Sequence, residues 1–335
     1  MKKKYRITVS LSIVLFVLIV SFVILRPEKG EEYIQITNRD TLKSAPAIYE
    51  DKIVWAEEMK NGKYGIYLYD LSTKHEELLM EGNSRKCNLL IYGNNIVYGD
   101  NRNGNFDIFI YNILNKKEIQ ITDELMDQYP TGIYNDKVVW SDNRYGNYDI
   151  FMYDITSEKE IQITCDKADQ SQPTIYMDKV VWYDNKKGSR NIAIYNISSK
   201  KEIIIDGHIP ILSLPYLPAI YENKVFWIAD GPCGHQVYMY NISSEDGGFI
   251  TCDLGVHPRT VSVYNSEIIW LDNGRETFVP EKQNIYVYNY FFDTLIKVTQ
   301  DNKCRSLPAI YDNIVTWAEY RDNSDCADIC MYEIK

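Results

Sequence analysis

Along this chain, short apolar runs and polar turns alternate and then recur. Thr174-Ile175-Tyr176 is followed by a tight turn at Met177-Asp178 and a second apolar run, Lys179-Val180-Val181-Trp182. In the preceding unit the polar segment Asp142-Asn143-Arg144-Tyr145-Gly146-Asn147 leads into Asp149-Ile150-Phe151-Met152-Tyr153. Ser157-Glu158-Lys159 then leads into Glu160-Ile161-Gln162-Ile163-Thr164, which alternates at period two. Short runs of this kind, bounded by turn residues, predict strands. No window beyond the N-terminal segment carries a helical period, so each unit reads as four strands in about 43 residues.

The units can be counted from one tyrosine. Tyr49, Tyr92, Tyr134, Tyr176, Tyr221, Tyr264 and Tyr311 are spaced by 43, 42, 42, 45, 43 and 47 residues. Six residues after each stands an aromatic: Trp55, Tyr98, Trp140, Trp182, Trp227, Trp270 and Trp317, which accounts for every Trp in the chain. A second tyrosine follows at Tyr69, Tyr111, Tyr153, Tyr195, Tyr240, Tyr288 and Tyr332. A four-stranded unit of this length is a propeller blade. The fourth strand has six copies after the third strands, and the seventh unit ends soon after Tyr332. The missing copy, Tyr33-Ile34-Gln35-Ile36-Thr37, lies ahead of the first unit. The expected fold is therefore an all-β, seven-bladed β-propeller over 33–335 whose N-terminal strand completes the last blade and removes its open edge. The aromatic repeats read as the positions that pack the blades.

Units such as Tyr134–Thr164 resemble the TolB-like or WD40-like propeller repeats of cell-surface proteins. The resemblance spans about Tyr33 to Lys335. It implies the fold and, more loosely, a role in binding at the cell envelope, because one fold hosts many functions. It supplies no catalytic motif.

The N-terminus adds a second element. Residues 1–6 carry Lys2, Lys3, Lys4 and Arg6, and 7–25 run without a charge before Arg26 and Pro27. That length spans a bilayer as a helix, and the basic flank places the N-terminal end in the cytoplasm. No small-residue cleavage site follows, which favours an uncleaved signal anchor over a secreted product of signal cleavage. The expectation is a single-pass membrane protein with a cytoplasmic 1–6, a transmembrane helix at 7–25, a linker at 26–32 and an extracellular propeller. The formal net charge of −11 then hides an asymmetry. The part beyond Arg26 holds 31 basic and 47 acidic residues, a net of −16. Such a domain disfavours nucleic acid and anionic lipid headgroups as partners.

Candidate chemistry sits on one face. In a four-stranded meander the second-to-third turns share a face, here called upper, with the links between blades. Glu57, Asp100, Asp142, Asp184, Asp272 and Glu319 stand two residues after the aromatic slot, and Asp230 three after. They read first as turn-forming side chains, and otherwise as a ring for a cation. Two insertions, at 273–280 and around 208–217, fall on the same face in blades four to six. His208, His235 and His257 lie in that sector. Candidate ligand-binding residues are His208, Tyr216, Asp230, His235, His257, Asp272 and Arg275. The three histidines are weak candidates for a divalent metal; no other cofactor is expected. Disulfides are permitted outside the cytoplasm, and Cys233–Cys252 and Cys304–Cys326 are the expected pairs, with Cys330 in the core. Asn196-Ile197-Ser198 and Asn241-Ile242-Ser243 match glycosylation sequons at a slot that turn chemistry already explains.

The reading is a membrane-anchored module that binds a protein or glycan of the cell envelope, with no catalytic residue assigned. The alternatives are a metal-assisted polysaccharide lyase or hydrolase around His208, His235 and His257, and a structural surface-layer component.

Overall fold

A computed structural model describes residues 24–25, 33–186, 190–205, 217–272, 283–301, 303–322 and 324–335. The chain forms seven antiparallel sheets, each a meander running from an innermost to an outermost strand. Blade 3 is typical: Gly132–Tyr134, Lys137–Asp142, Asp149–Asp154 and Lys159–Gln162 pair in that order. The only helical element described is a three-residue 3-10 turn, Cys252–Leu254.

Period-two patterning explains the layers. The repeat's Trp residues are at most 1% exposed. Val138, Trp140 and Phe151 of blade 3 form one cluster with Val97, Ile108 and Ile110 of blade 2. Each blade therefore buries its faces against its neighbours, and the core is a ring of wedges between sheets. The second-strand aromatic stacks on its third-strand partner, as in Trp55–Tyr67 at 5.7 Å and Trp140–Phe151 at 6.0 Å between centroids. Pairs of this kind add to the apolar area they bury.

The N-terminal strand completes blade 7 as expected. Ile34–Gln35 pairs antiparallel with Cys330–Met331 in the sheet of Ala309–Tyr311, Ile314–Tyr320 and Ala327–Glu333. A threonine marks the register. Thr122, Thr164, Thr251 and Thr299 each accept the backbone N–H at the start of the third strand, at 2.8, 2.8, 3.0 and 2.9 Å. Thr37 makes the same bond to Ile329 at 3.0 Å, although 292 residues separate them. On the other side of this blade, Ile48, Ile53 and Trp55 pack with Ala318, Ala327, Ile329 and Met331. Cys330 is 1% exposed, a core residue, and burial raises its thiol pKa.

Of the expected membrane helix at 7–25, only Ile24–Leu25 lies among the described residues. These two form a short strand parallel to Thr294–Leu295 of blade 6. No helix among the described residues is long and apolar enough to cross a membrane.

Replacing a wedge residue tests this packing. Trp182→Ala should cost about 3–5 kcal/mol, the usual range for deleting a buried aromatic, read as a lower urea midpoint at unchanged slope.

Candidate functional site: the upper mouth of the central channel

The innermost strands surround the axis, and their sequence shapes it. Each runs from the upper face down to the repeat tyrosine, just before the first-to-second turn. Pro46, Pro130, Pro173, Pro218 and Pro308 precede that tyrosine by three or four residues. A proline cannot donate to the ladder, so it belongs where pairing breaks. In blade 4 the register slips between Ser171 and Thr174, with Gln172 at φ 56° beside Pro173. Blade 2 slips likewise between Cys87 and Leu90, with Asn88 at φ 50°. These two are β-bulges, a device that re-aims side chains next to functional sites.

Below the bulges the seven repeat tyrosines close on one another. Successive centroids from Tyr49 to Tyr311 are 4.5, 5.0, 4.9, 4.9, 5.5 and 4.6 Å apart, and Tyr311 returns to Tyr49 at 4.8 Å. Interplanar angles of 42–56° are close to one-seventh of a full turn. Burial, then the neighbouring phenols, raise the pKa of Tyr49, Tyr134, Tyr176 and Tyr311, the last to about 12. These four phenols are therefore uncharged at neutral pH. The sequence reading put these tyrosines between blades with the tryptophans; they instead ring the axis at its lower end.

Above the ring lies a cavity of about 920 Å³. Its wall carries hydroxyls and amides, among them Ser44, Asn88, Thr131, Asn143, Ser171, Gln172 and Ser262, over an apolar collar that includes Pro46, Leu89, Pro130, Val261 and Pro308. Among the described residues, Arg85 and Asp127 are the charged ones in its lining. Sequence reasoning missed this wall. The proline that recurs before five of the seven tyrosines was the signal available for it.

The carboxylates after the aromatic slot are buried and engaged. Asp100 accepts the Arg102 backbone N–H at 2.9 Å and pairs with its guanidinium at 2.7 Å; Asp142 and Arg144 repeat this at 2.9 and 2.6 Å. Asp184 accepts the Lys186 N–H at 2.7 Å. Glu57 pairs with Arg39 at 2.6 Å, and Glu319 with Lys303 and Arg305 at 2.6 and 2.8 Å. The arginines reach on to fourth-strand acids, Arg102 to Glu118 at 2.7 Å and Arg144 to Glu160 at 2.8 Å. They also lie over third-strand rings, 4.2 Å from Phe109 and 4.4 Å from Phe151. Burial alone would raise the carboxyls of Glu57, Asp100 and Glu118, but their basic and hydrogen-bonding partners outweigh it and hold all three below the ordinary range. These side chains form turn-and-blade joints, each with its cation supplied by the chain.

The candidate residues of blades 5 and 6 gather only in part. His235 Nε2 lies 3.4 Å from Asp230 Oδ1, and the His257 backbone N–H donates to Asp272 Oδ2 at 2.8 Å. Burial, then Arg259, lower the His235 pKa despite Asp230, so the imidazole is neutral at pH 7. His208, Tyr216 and Arg275 lie outside the described residues. Among the described residues no group of three His, Cys, Asp or Glu side chains is placed to hold a metal.

Cys233 and Cys252 are bridged, with Cα atoms 5.6 Å apart. Cys252 leaves the fourth strand and Cys233 sits in the second-to-third turn, so the bond ties the turn to the outgoing link. Blades 2 and 3 make the same tie with Asn105 and Asn147, whose amides donate to Glu124 and Asp166 carbonyls at 2.8 and 2.9 Å. The expected Cys304–Cys326 bridge is not formed, and both are free thiols. The Tyr320 N–H donates to the Cys304 carbonyl, while the Arg321 N–H donates to that of Cys326 across the second-to-third turn. Cys304 therefore flanks the inner side of the second strand and Cys326 its outer side. Two strand spacings, together about 9–10 Å, exceed the roughly 7 Å limit for a disulfide. In the sequon slot, Asn196 and Asn241 accept turn N–H groups at 2.7 and 2.9 Å, the turn role expected of them.

No protein-family model matches the sequence, and no curated protein matches it by sequence. Solved structures share its fold. An oligogalacturonate lyase in complex with manganese is 12% identical, with a TM-score of 0.68 over 92% of this chain and 94% of that one. The β-propeller domain of the trilobed protease from Pyrococcus furiosus, described as having an open velcro topology, is 11% identical, with a TM-score of 0.66 over 88% and 96%. TolB from Acinetobacter baumannii is 17% identical, with a TM-score of 0.49 over 66% and 57%. The propeller resemblance holds at the level of fold, and the lyase and the protease domain carry it.

Two outcomes are expected. A double-mutant cycle on Tyr49 and Tyr311 should give the coupling of an internal pair such as Tyr92 and Tyr134, about 0.5–1.5 kcal/mol, if the ring is closed. For acid, the folded carboxyls of Glu57, Asp100 and Glu118 titrate below their unfolded values, so the unfolded chain binds more protons in that window. Stability should be fully present above about pH 4–5 and be lost as pH falls through the depressed values. Arg102→Met should remove part of that loss in urea titrations across pH.

Proposed function

We propose that this chain is a membrane-anchored binding module of the cell envelope. Its propeller stands outside the cell, and its ligand, a protein segment or glycan, enters the upper mouth of the central channel. One observation carries the reading: seven tyrosines in mutual contact ring the lower end of the channel, and its upper end holds a cavity of about 920 Å³. That volume is within the range of ligand sites, about 300–1,000 Å³. A mostly apolar wall set with hydroxyls and amides and with few charges suits an uncharged ligand that combines apolar faces with hydrogen-bonding groups, such as a sugar chain or an extended peptide. Five of the seven blade carboxylates, Glu57, Asp100, Asp142, Asp184 and Glu319, already hold cations of the chain, so the site relies on apolar contact, hydrogen bonds and shape. The charge-free run at 7–25, with its basic flank, supports the anchor.

The test is to fill the channel. Ser171→Trp and Ser262→Trp each place a large side chain in the cavity from a different blade. Full-length protein in nanodiscs, assayed against envelope glycans and extended peptides, should lose binding with either variant at an unchanged melting temperature. Leu125→Ala, at an upper-face residue that is 95% exposed and outside the cavity lining, should not change binding. Binding that survives both fillings would place the ligand elsewhere.

A further inference from the structure

The third-to-fourth turns of the blades share one design on the lower face. The last residue of the third strand caps the turn: Asp154, Asn196, Asn241 and Asn289 accept N–H groups from Ser157, Ser199, Ser244 and Phe292 at 2.8, 2.7, 3.3 and 2.8 Å. The tip is Thr156-Ser157 in blade 3, Ser198-Ser199 in blade 4 and Ser243-Ser244 in blade 5. Blade 6 keeps the cap and changes the tip to Phe291-Phe292. The two rings touch edge to face at 5.0 Å and are 76% and 70% exposed. The turn does not require them, because serine makes the same backbone elsewhere. Two adjacent exposed phenylalanines cost solvation unless something apolar covers them.

The path of the chain identifies that cover. Fourth strands run from the lower face to the upper. The N-terminal strand obeys this rule, so the chain arrives at Tyr33 from below blade 7. Ile24–Leu25 lies parallel to Thr294–Leu295, beginning beside the Phe291-Phe292 turn. Ile24 therefore stands at the lower edge of blade 6, next to the exposed pair. Read as the helix its composition predicts, the rest of the charge-free run, 7–23, would measure about 25 Å at 1.5 Å per residue, inside the range of lengths that cross a bilayer.

We propose that the propeller rests with its lower face on the bilayer, and that Phe291 and Phe292 insert at the lipid interface beside the anchor. This inference rests on the membrane-anchor reading. It adds that the domain is held in one orientation, with the tyrosine ring toward the membrane and the channel mouth facing away. Apolar side chains at a membrane surface gain from burial in the headgroup boundary, and a tether that starts at the same edge adds to their hold.

The test uses the full chain in vesicles of phosphatidylcholine with brominated acyl chains, which quench nearby indoles; the zwitterionic headgroup avoids repelling a domain of net charge −16. The six native tryptophans are buried in the blades and supply a constant background. Phe291→Trp should lose most of the emission it adds. Tyr145→Trp, in an upper-face turn at a residue 67% exposed, should lose none. The double variant Phe291→Ser, Phe292→Ser copies the blade 4 tip; it should melt as the parent does and leave the turn freely exchanging deuterium in vesicles, whereas the parent's turn is protected. Vesicle-bound chain whose added Phe291→Trp emission is untouched, or whose Tyr145→Trp emission is quenched instead, overturns the orientation while leaving the anchor intact. Chain that does not float with the vesicles overturns the anchor reading and the orientation with it.

Discussion

The structure depends on one pairing, the antiparallel contact of Ile34–Gln35 with Cys330–Met331. Seven wedges bury their faces only if the first and last meet. Without the N-terminal strand, blade 7 would expose a sheet edge and the Tyr33–Trp317 contact at 5.3 Å would be lost. The side chains around the seam agree with the backbone. Gln35 Nε2 donates to Asp328 at 3.0 Å, the Lys43 ammonium donates to the Ala327 carbonyl at 2.8 Å, and Arg321 joins Asn38 and Asp328. Apart from Arg321–Asp328, these bonds link residues more than 280 positions apart, so closure brings the largest loop-closing cost in the fold and is supported by several contacts at once.

Closure also determines what lies on the axis. A ring of seven equivalent strands leaves a central hole, and the residue type at each level decides what the hole can do. At the lower level it is tyrosine, whose rings touch in sequence around the axis. At the upper level it is proline in five of the seven blades, then hydroxyl or amide residues, on bulged backbone in blades 2 and 4. The two levels differ because a proline breaks the ladder where pairing ends, while the tyrosine sits on regular pairing just before a turn. The two ends of the channel are therefore unlike by construction.

The carboxylates around the upper rim show how an apparent binding ring can be structural. Asp100 and Asp142 each orient a turn, neutralise an arginine and, through it, reach a fourth-strand glutamate and an aromatic face. A buried acid of this kind is costly unless paired, and the partner comes from two residues along the same chain. Blade 5 departs from the scheme. Its Asp230 stands one residue later, 52% exposed on the side chain, and its turn is tied by a disulfide in place of an asparagine. The departures gather where the insertions of blades 4 and 6 also fall.

Much of this was legible in the sequence. Strand number, blade count, the N-terminal strand in the last blade, the buried tryptophans and the core position of Cys330 all follow from local alternation and a 42–47 residue period. These properties depend on neighbours along the chain, or on repetition that any one unit displays. What only the tertiary structure decided depends on distances between units. Tyr134 and Tyr153 look alike in sequence, yet one rings the axis and the other packs between blades, because they stand on the first and third strands of a wedge. Cys252 and Cys304 both lie in links near a half-cystine candidate, yet only the one leaving a fourth strand borders the turn it must reach. The same holds for the cavity wall, since its hydroxyls come from separate blades and become neighbours only when the seventh blade meets the first.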